Sequence, residues 1–143
     1  MRSSNKRQIV IAGAGLIGST MAVALASEGF DVTVVDGTAE EDRIKRNNGR
    51  TYALSRTSKN LLRNLGLWDP KNLNVSPIEN IVLSTRTSSS DTIRHLVEFN
   101  KENTEIDPSS YMIEDFYLRK VLGSELNRNT KIQLINSTKV IED

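Results

Sequence analysis

The sequence of 143 residues is 37% hydrophobic and 26% charged, and its 19 basic residues nearly balance its 18 acidic residues, which leaves a net charge of +1. This length suits one domain, the composition is typical of a globular chain rather than a disordered one, and the charge gives no case for nucleic acid as a partner. The lack of cysteine and the single histidine exclude disulfides, thiolate catalysis and Cys- or His-rich metal sites.

The sequence contains no segment expected to enter or cross a membrane. No apolar run reaches the roughly 18 residues that span a bilayer. Residues 1–8 are basic, but the apolar stretch behind them is interrupted by glycines, so it does not read as a signal peptide. We therefore expect a cytoplasmic chain, and peripheral contact with a membrane stays an open alternative.

The part of the chain up to Asp36 predicts a βαβ unit. Residues 9–12 (IVIA) form a short apolar run, typical of a strand that is buried on both faces of a parallel sheet. Behind a glycine-rich turn, apolar residues recur at helical spacing, and Gly29 is placed to cap the helix. Val32, Val34 and Val35 form a second β-branched run, and the whole segment has the size of one βαβ unit.

The remaining elements are predicted from periodicity and polarity. They are a polar loop at 37–50, a helix from Leu54 to Leu65 that Gly66 ends, strands at 78–85 and 93–99 joined by a polar loop at 88–91, a helix at 114–128 that contains Gly123, and a strand within 131–141.

The glycine-rich turn, Gly13-Ala14-Gly15-Leu16-Ile17-Gly18, has the GxGxxG pattern of dinucleotide-binding folds. In that pattern the first glycine allows the tight turn, the second lets the backbone approach a pyrophosphate, and the third lets helix and strand pack closely. Asp36 ends the second strand, where a carboxylate accepts the hydroxyl groups of an adenosine ribose. The pattern predicts an adenine dinucleotide site. The alternative is a tight turn whose glycines serve packing alone.

The local sequence does not decide between two dinucleotides, NAD and FAD. NADP is disfavoured, because the Asp36 carboxylate would repel a 2′-phosphate and the neighbouring Gly37 and Thr38 supply no cation.

Later segments resemble the FAD-dependent aromatic hydroxylases, in particular the ubiquinone-biosynthesis (polyprenyl-methoxyphenol hydroxylase) branch. The segments that carry the resemblance are RTYAL at 50–54, LGLW at 65–68 and YMIED at 111–115, within a similarity that runs from Gln8 to Ile141. The resemblance implies an α/β, Rossmann-like FAD domain of the p-hydroxybenzoate hydroxylase type, with FAD as cofactor. Residues 1–143 would form its N-terminal part, with a strand excursion at about 75–100 and without the part that covers the substrate.

The resemblance also implies which residues contact the cofactor, namely Gly13, Gly15 and Gly18 at the pyrophosphate, Asp36 at the ribose, Arg50 near the flavin or its phosphates, and Asp115. For Arg50 the alternative is an exposed loop arginine. Asp115 stands where the family has an amide that donates to the cofactor, and an ionised aspartate cannot donate. Its alternative role is a first-turn acid that the helix dipole favours. Neither a catalytic residue nor a metal ligand is predicted.

The implied function is that of the FAD-binding N-terminal portion of a monooxygenase. The complete enzyme would reduce FAD with an electron donor and use O₂ to hydroxylate a polyprenylated phenol in ubiquinone biosynthesis. This chain lacks the family's later Gly-Asp motif, so we expect the product of a split or truncated gene, active with a second chain or not at all. Two alternatives stay open: a non-catalytic module that binds FAD or NAD, and a ligand-free remnant whose sheet edge pairs with another protein.

Overall fold

The computed structural model describes residues 8–45, 49–86, 93–100 and 110–138. Its elements in chain order are β1 (Gln8–Ala12), α1 (Leu16–Ser27), β2 (Asp31–Val35), α2 (Glu40–Lys45), β3 (Thr51–Ser55), α3 (Arg56–Asn64), α4 (Pro70–Leu73), β4 (Ser76–Pro77), β5 (Asn80–Arg86), β6 (Ile93–Asn100), β7 (Ser110–Glu114), α5 (Asp115–Arg128) and β8 (Ile132–Ile135). Within these ranges, every helix is too short or too polar to cross a bilayer.

A parallel sheet in the order β1-β2-β8 positions the glycine turn, and it confirms the predicted βαβ unit. Helices α1 and α5 contact each other and this sheet, and the core forms where they meet. Its buried apolar side chains come from β2, from the small residues of α1 and from the leucines of α5: Val32, Val34, Ala22, Val23, Ala26, Leu118, Leu122 and Leu126. Burying each leucine or valine contributes about 1.5–3 kcal/mol, so this cluster holds the sheet to its helices.

Strand β1 differs from its prediction, because it lies at the edge of the sheet. Within the described residues it pairs with β2 alone, and its side chains alternate between exposed and half-buried. Ile11 packs against the core, whereas Val10 is 62% exposed. The prediction of burial on both faces is therefore wrong for the described part of the chain, which covers only one face of β1.

The sequence analysis did not predict the second sheet, which is antiparallel and has the strand order β3-β7-β4. Leu54, predicted to begin a helix, belongs to β3 and pairs with Tyr111 of β7. The helix α3 begins only after Ser55, whose hydroxyl oxygen accepts the Ser58 N–H at 3.2 Å and so caps the helix. Its predicted end is confirmed, since Gly66 follows it with a φ of +70°.

The other predicted elements are confirmed with small shifts. Strands β5 and β6 pair as an antiparallel hairpin, whose connecting loop at 88–91 lies outside the described residues. Helix α5 runs through Gly123 without a break, and β8 forms the first part of the strand predicted within 131–141. The predicted loop at 37–50 is wrong in part, because residues 40–45 form α2 with three acidic residues in its first turn. Such residues stabilise a helix N-terminus.

Candidate dinucleotide-binding site

The glycine turn joins β1 to α1 and exposes the start of that helix. The Gly13 N–H extends the ladder by donating to the Val35 carbonyl at 2.7 Å, and its φ of +102° favours glycine. Gly15 is the extended N-cap residue of α1, and the first helical bond runs from the Ser19 N–H to the Gly15 carbonyl at 2.9 Å. The N–H groups of this first turn have no acceptor within the helix, and the helix dipole is positive here. An anion is therefore favoured at this point.

Different constraints account for glycine at positions 15 and 18. A Cβ built on Gly18 would lie 2.0 Å from the Gly13 carbonyl oxygen, so this glycine lets helix and strand pack closely. A Cβ built on Gly15 would have no atom within 4 Å, so packing within the described chain does not require glycine there. The space at Gly15 fits a ligand that approaches the backbone closely. The alternative, in which all three glycines serve packing alone, does not explain why residue 15 is glycine.

Asp36 lies against this turn. Its Oδ2 accepts the Ala14 N–H at 2.6 Å, and its Oδ1 accepts the Thr38 N–H at 2.7 Å. The sequence motif thus corresponds to a direct contact between the turn and the acid at the end of β2. A carboxylate has about four lone-pair positions, so these two bonds leave acceptor capacity for ribose hydroxyl groups.

Arg43 of α2 forms an ion pair with Asp36 that the sequence analysis missed. Its Nη1 lies 3.4 Å from Asp36 Oδ1 and donates to the Thr38 carbonyl at 3.0 Å. The two side chains are only 11% and 12% exposed. Gly37 and Thr38 supply no cation, as the sequence analysis states, but Arg43 of the following helix α2 does. The preference against NADP then rests on the Asp36 carboxylate alone.

The pKa of Asp36 lies below its ordinary value. Burial by itself would raise this pKa, but the N–H groups of Ala14 and Thr38 and the charge of Arg43 stabilise the carboxylate and lower it. A carboxyl group whose pKa is lowered by folding stabilises the folded state at pH values above its ordinary pKa of 3.8. This contribution is lost as the pH falls through the pKa of Asp36 in the folded state, because the carboxylate becomes protonated.

Replacing Arg43 with glutamine should therefore move acid unfolding to higher pH. Without the guanidinium, the pKa of Asp36 returns towards its ordinary value, so protonation removes its stabilising effect earlier in an acid titration. Circular dichroism between pH 6 and pH 2 measures the midpoint. Arg63, an exposed arginine in the last turn of α3, supplies the matched control Arg63→Gln, for which we expect no change in midpoint. Equal midpoints for the two variants would contradict the role of the ion pair.

Asp115 begins α5 and is 2% exposed. Its Oδ1 accepts the Tyr52 hydroxyl at 2.9 Å, and its Oδ2 accepts Arg119 Nε at 2.6 Å. Burial raises the pKa of this carboxyl group, but these two bonds and the charges of Arg119 and Arg50 outweigh burial and lower it. Both oxygens are thus held by the protein, which favours the alternative that Asp115 acts as a first-turn acid.

Arg50 precedes β3 and is exposed. Its carbonyl oxygen accepts the Asp115 N–H at 2.9 Å, and its charge contributes to the low pKa of the Asp115 carboxyl group. The structure therefore brings Arg50 and Asp115 together where β3, β7 and α5 meet. Gly13, Gly15 and Asp36 form a separate group at the glycine turn.

A crevice beside the glycine turn is bordered by Arg119, which also donates to Asp115. Its lining comes from the start of α1, from one acidic and one basic residue of α2, and from α5: Gly15, Leu16, Ser19, Glu40, Arg43, Arg119, Leu122, Gly123 and Leu126. Arg119 follows Asp115 by four positions, the spacing at which side chains meet on one helix face. That spacing is the signal by which the sequence could have indicated Arg119.

Comparison with known proteins agrees with this geometry. Residues 9–107 match the family model ApbA, described as ketopantoate reductase PanE/ApbA. The ubiquinone hydroxylase UbiL of Rhodospirillum rubrum is 31% identical over 84% of this chain and 27% of its own length. The 3-demethoxyubiquinol 3-hydroxylase of Escherichia coli is 28% identical over 89% of this chain and 32% of its own. The chain thus spans about a third or less of these curated relatives.

Solved structures share the fold. The 2-methyl-3-hydroxypyridine-5-carboxylic acid oxygenase superposes with a TM-score of 0.68 at 18% identity, over 97% of this chain and 34% of its own. A variant of Pseudomonas aeruginosa PqsL superposes with a TM-score of 0.68 at 16% identity, over 96% of this chain and 36% of its own. The ApbA model and the hydroxylases name different reactions. The ApbA match begins at Ile9 and includes the βαβ unit with its glycine turn, so it supports the dinucleotide-binding fold.

Proposed function

The chain belongs to the Rossmann-like family that the ApbA model describes and is homologous to FAD-dependent hydroxylases of ubiquinone biosynthesis, and we propose that it forms the FAD-binding N-terminal portion of such an enzyme. The observation that carries this proposal is the open space at Gly15. It adjoins the positive end of α1, and Asp36 lies against the same turn. No interaction within the described chain accounts for a glycine at that position.

The described residues fit the adenosine diphosphate half of FAD. The N–H groups at the start of α1 would hold the pyrophosphate, with Gly15 giving the backbone room to approach it. Asp36 would accept the ribose hydroxyl groups. Arg50 would lie near the flavin or its phosphates, and its position beside Asp115 supports this assignment. When bound, FAD supplies the redox and O₂ chemistry, and these residues bind and orient it.

The activity of the whole enzyme would be hydroxylation of a polyprenylated phenol, as the names of the relatives suggest. Its substrate contacts would come from residues outside this chain. Exposed apolar side chains support this part of the proposal: Val10 is 62% exposed, Ile17 is 84% exposed and Met21 is 52% exposed. Apolar surface of this kind marks sites that other protein segments cover. A second chain or further residues would pack there.

A second candidate is a module that binds FAD or NAD without catalysis. The ApbA match favours it, because the match includes the glycine turn and its description names a reductase and not a hydroxylase. The two candidates share the site and differ in the preferred cofactor and in whether the rest of an enzyme is required.

Calorimetric titration of the chain with FAD, NAD and ADP tests the proposal. We expect FAD and ADP to bind with one-to-one stoichiometry and to compete, and FAD to remain with the protein through gel filtration as a yellow complex. At a ligand concentration of about 100 times Kd, binding adds about 2.7 kcal/mol to the free energy of unfolding. Binding of NAD in place of FAD would favour the second candidate. Colourless protein with no heat from any of the three ligands would contradict both.

A further inference from the structure

We propose that Arg119 of α5 is a second contact for the cofactor diphosphate, opposite the N-terminus of α1, and that Asp115 is the residue that positions it. This inference rests on the proposed function, because it names a further ligand-binding residue at the same site. Arg119 belongs to none of the motifs that predicted the site. Its assignment comes from the fold, which places its side chain in the crevice beside Gly15.

The position of Arg119 is the first reason. The crevice lies between the start of α1, at Gly15 and Leu16, and the part of α5 from Arg119 to Leu126. The Arg119 side chain borders it and is 23% exposed, so part of this side chain is accessible to a ligand. A diphosphate seated at the start of α1 would therefore face this cation across the crevice.

The way in which Arg119 is held is the second reason. Its Nε donates to Asp115 Oδ2 at 2.6 Å, and Asp115 Oδ1 accepts the Tyr52 hydroxyl at 2.9 Å. The carboxylate is almost fully buried and joins β3 to α5 through these bonds, so it fixes the direction of the guanidinium. A guanidinium carries five donors in a planar fork that matches phosphate oxygens, and the hydrogen bonds with Asp115 and Tyr52 engage only part of that fork.

This arrangement gives Asp115 an indirect function in the site. An ionised carboxylate cannot donate to a phosphate, but it can hold a group that does. Arg43 also pairs with an aspartate, but it does so through Nη1, which donates to the Thr38 carbonyl and lies near Asp36. Arg119 differs because its bond to Asp115 is made through Nε.

The test compares ADP with adenosine, which lacks phosphate, by calorimetry on the 143-residue chain. Arg119→Gln alone would leave a buried carboxylate without its cation and could unfold the chain, so the decisive variant is Asp115→Leu/Arg119→Met. Replacing a buried ion pair with apolar residues of similar volume is tolerated by folds. The control is Arg128→Gln, an arginine on the same helix that pairs with Glu125.

We expect the double variant to bind ADP about tenfold more weakly or worse, as for loss of a hydrogen bond to a charged group. It should bind adenosine as the wild type does, and its ADP affinity should depend less on salt. The control should match the wild type in all three measurements. Wild-type ADP affinity in the double variant, or an equal loss for adenosine, would overturn the role of Arg119 while leaving the proposed function intact. Failure of the wild type to bind ADP would instead overturn the proposed function.

Discussion

Replacing Gly15 with valine should abolish binding of FAD and ADP while the chain stays folded. The φ of −69° at this position is open to any L-residue, and a Cβ there meets no protein atom within 4 Å. The new side chain would instead occupy the space in which the pyrophosphate approaches the backbone, so we expect at least a hundredfold loss of affinity, about 2.7 kcal/mol. Calorimetry with ADP measures it.

The melting temperature of the Gly15→Val variant shows whether the chain is still folded when ADP binding is measured. Valine is a poorer N-cap residue than glycine, which should cost about 1 kcal/mol of folding stability and lower Tm by a few degrees. A folded variant with unchanged ADP affinity would contradict the assignment of the pyrophosphate to this turn.

Replacing Gly18 with alanine should have the opposite pattern and destabilise the fold. The added Cβ would lie 2.0 Å from the Gly13 carbonyl oxygen, a backbone atom that cannot move without disturbing the end of β1. We expect a loss of about 3 kcal/mol in the free energy of unfolding, near the upper end for overpacking a well-packed site. For a domain of this size that corresponds to a decrease in Tm of about 10 °C.

The sign of the change in Tm for Gly18→Ala is enough to test whether α1 packs closely against β1. An alanine in place of an unconstrained glycine within a helix adds about 1 kcal/mol of stability, because glycine loses more backbone entropy on folding. A higher Tm for Gly18→Ala would therefore contradict the close packing of α1 against β1. Thermal unfolding followed by circular dichroism distinguishes the two outcomes.

The centre of the candidate site could be predicted from the sequence because each of its parts is local. Gly13, Gly15 and Gly18 lie in one short segment, and their spacing reflects a tight turn, a close approach to a ligand and close packing of helix on strand. Asp36 ends the next strand, and the size of a βαβ unit places that strand beside the first. In the structure the Asp36 carboxylate accepts a hydrogen bond from the Ala14 N–H, a contact that follows from the pairing of these two neighbouring strands.

The arginines of the crevice could not be found in the same way. Arg43 lies in a polar segment whose composition resembles a loop, and it meets Asp36 only because α2 forms and folds back. Arg119 was within reach of an argument from the spacing of Asp115 and Arg119, but its approach to the start of α1 depends on packing between α1 and α5. Contacts between distant segments leave no periodic signal in either segment.

Short elements were misjudged for a related reason. Leu54 fits the spacing of a helix as well as that of a strand, and pairing of β3 with β7 decided between them. The apolar run of β1 was equally compatible with burial on two faces or on one. Within the described residues it has one partner strand, so Val10 remains exposed. A hydrophobic pattern states which residues favour burial and does not state what covers them.

The sequence by itself determined the βαβ unit, the glycine turn and the acid that follows it, because these depend on backbone conformation and on spacing within one short segment. Only the tertiary structure decided that Asp115 is buried between Tyr52 and Arg119, that Arg43 pairs with Asp36, and that both arginines line one crevice beside Gly15. The physical reason is that charge pairing and burial act between atoms that are close in space, and folding brings these groups together from separate parts of the chain.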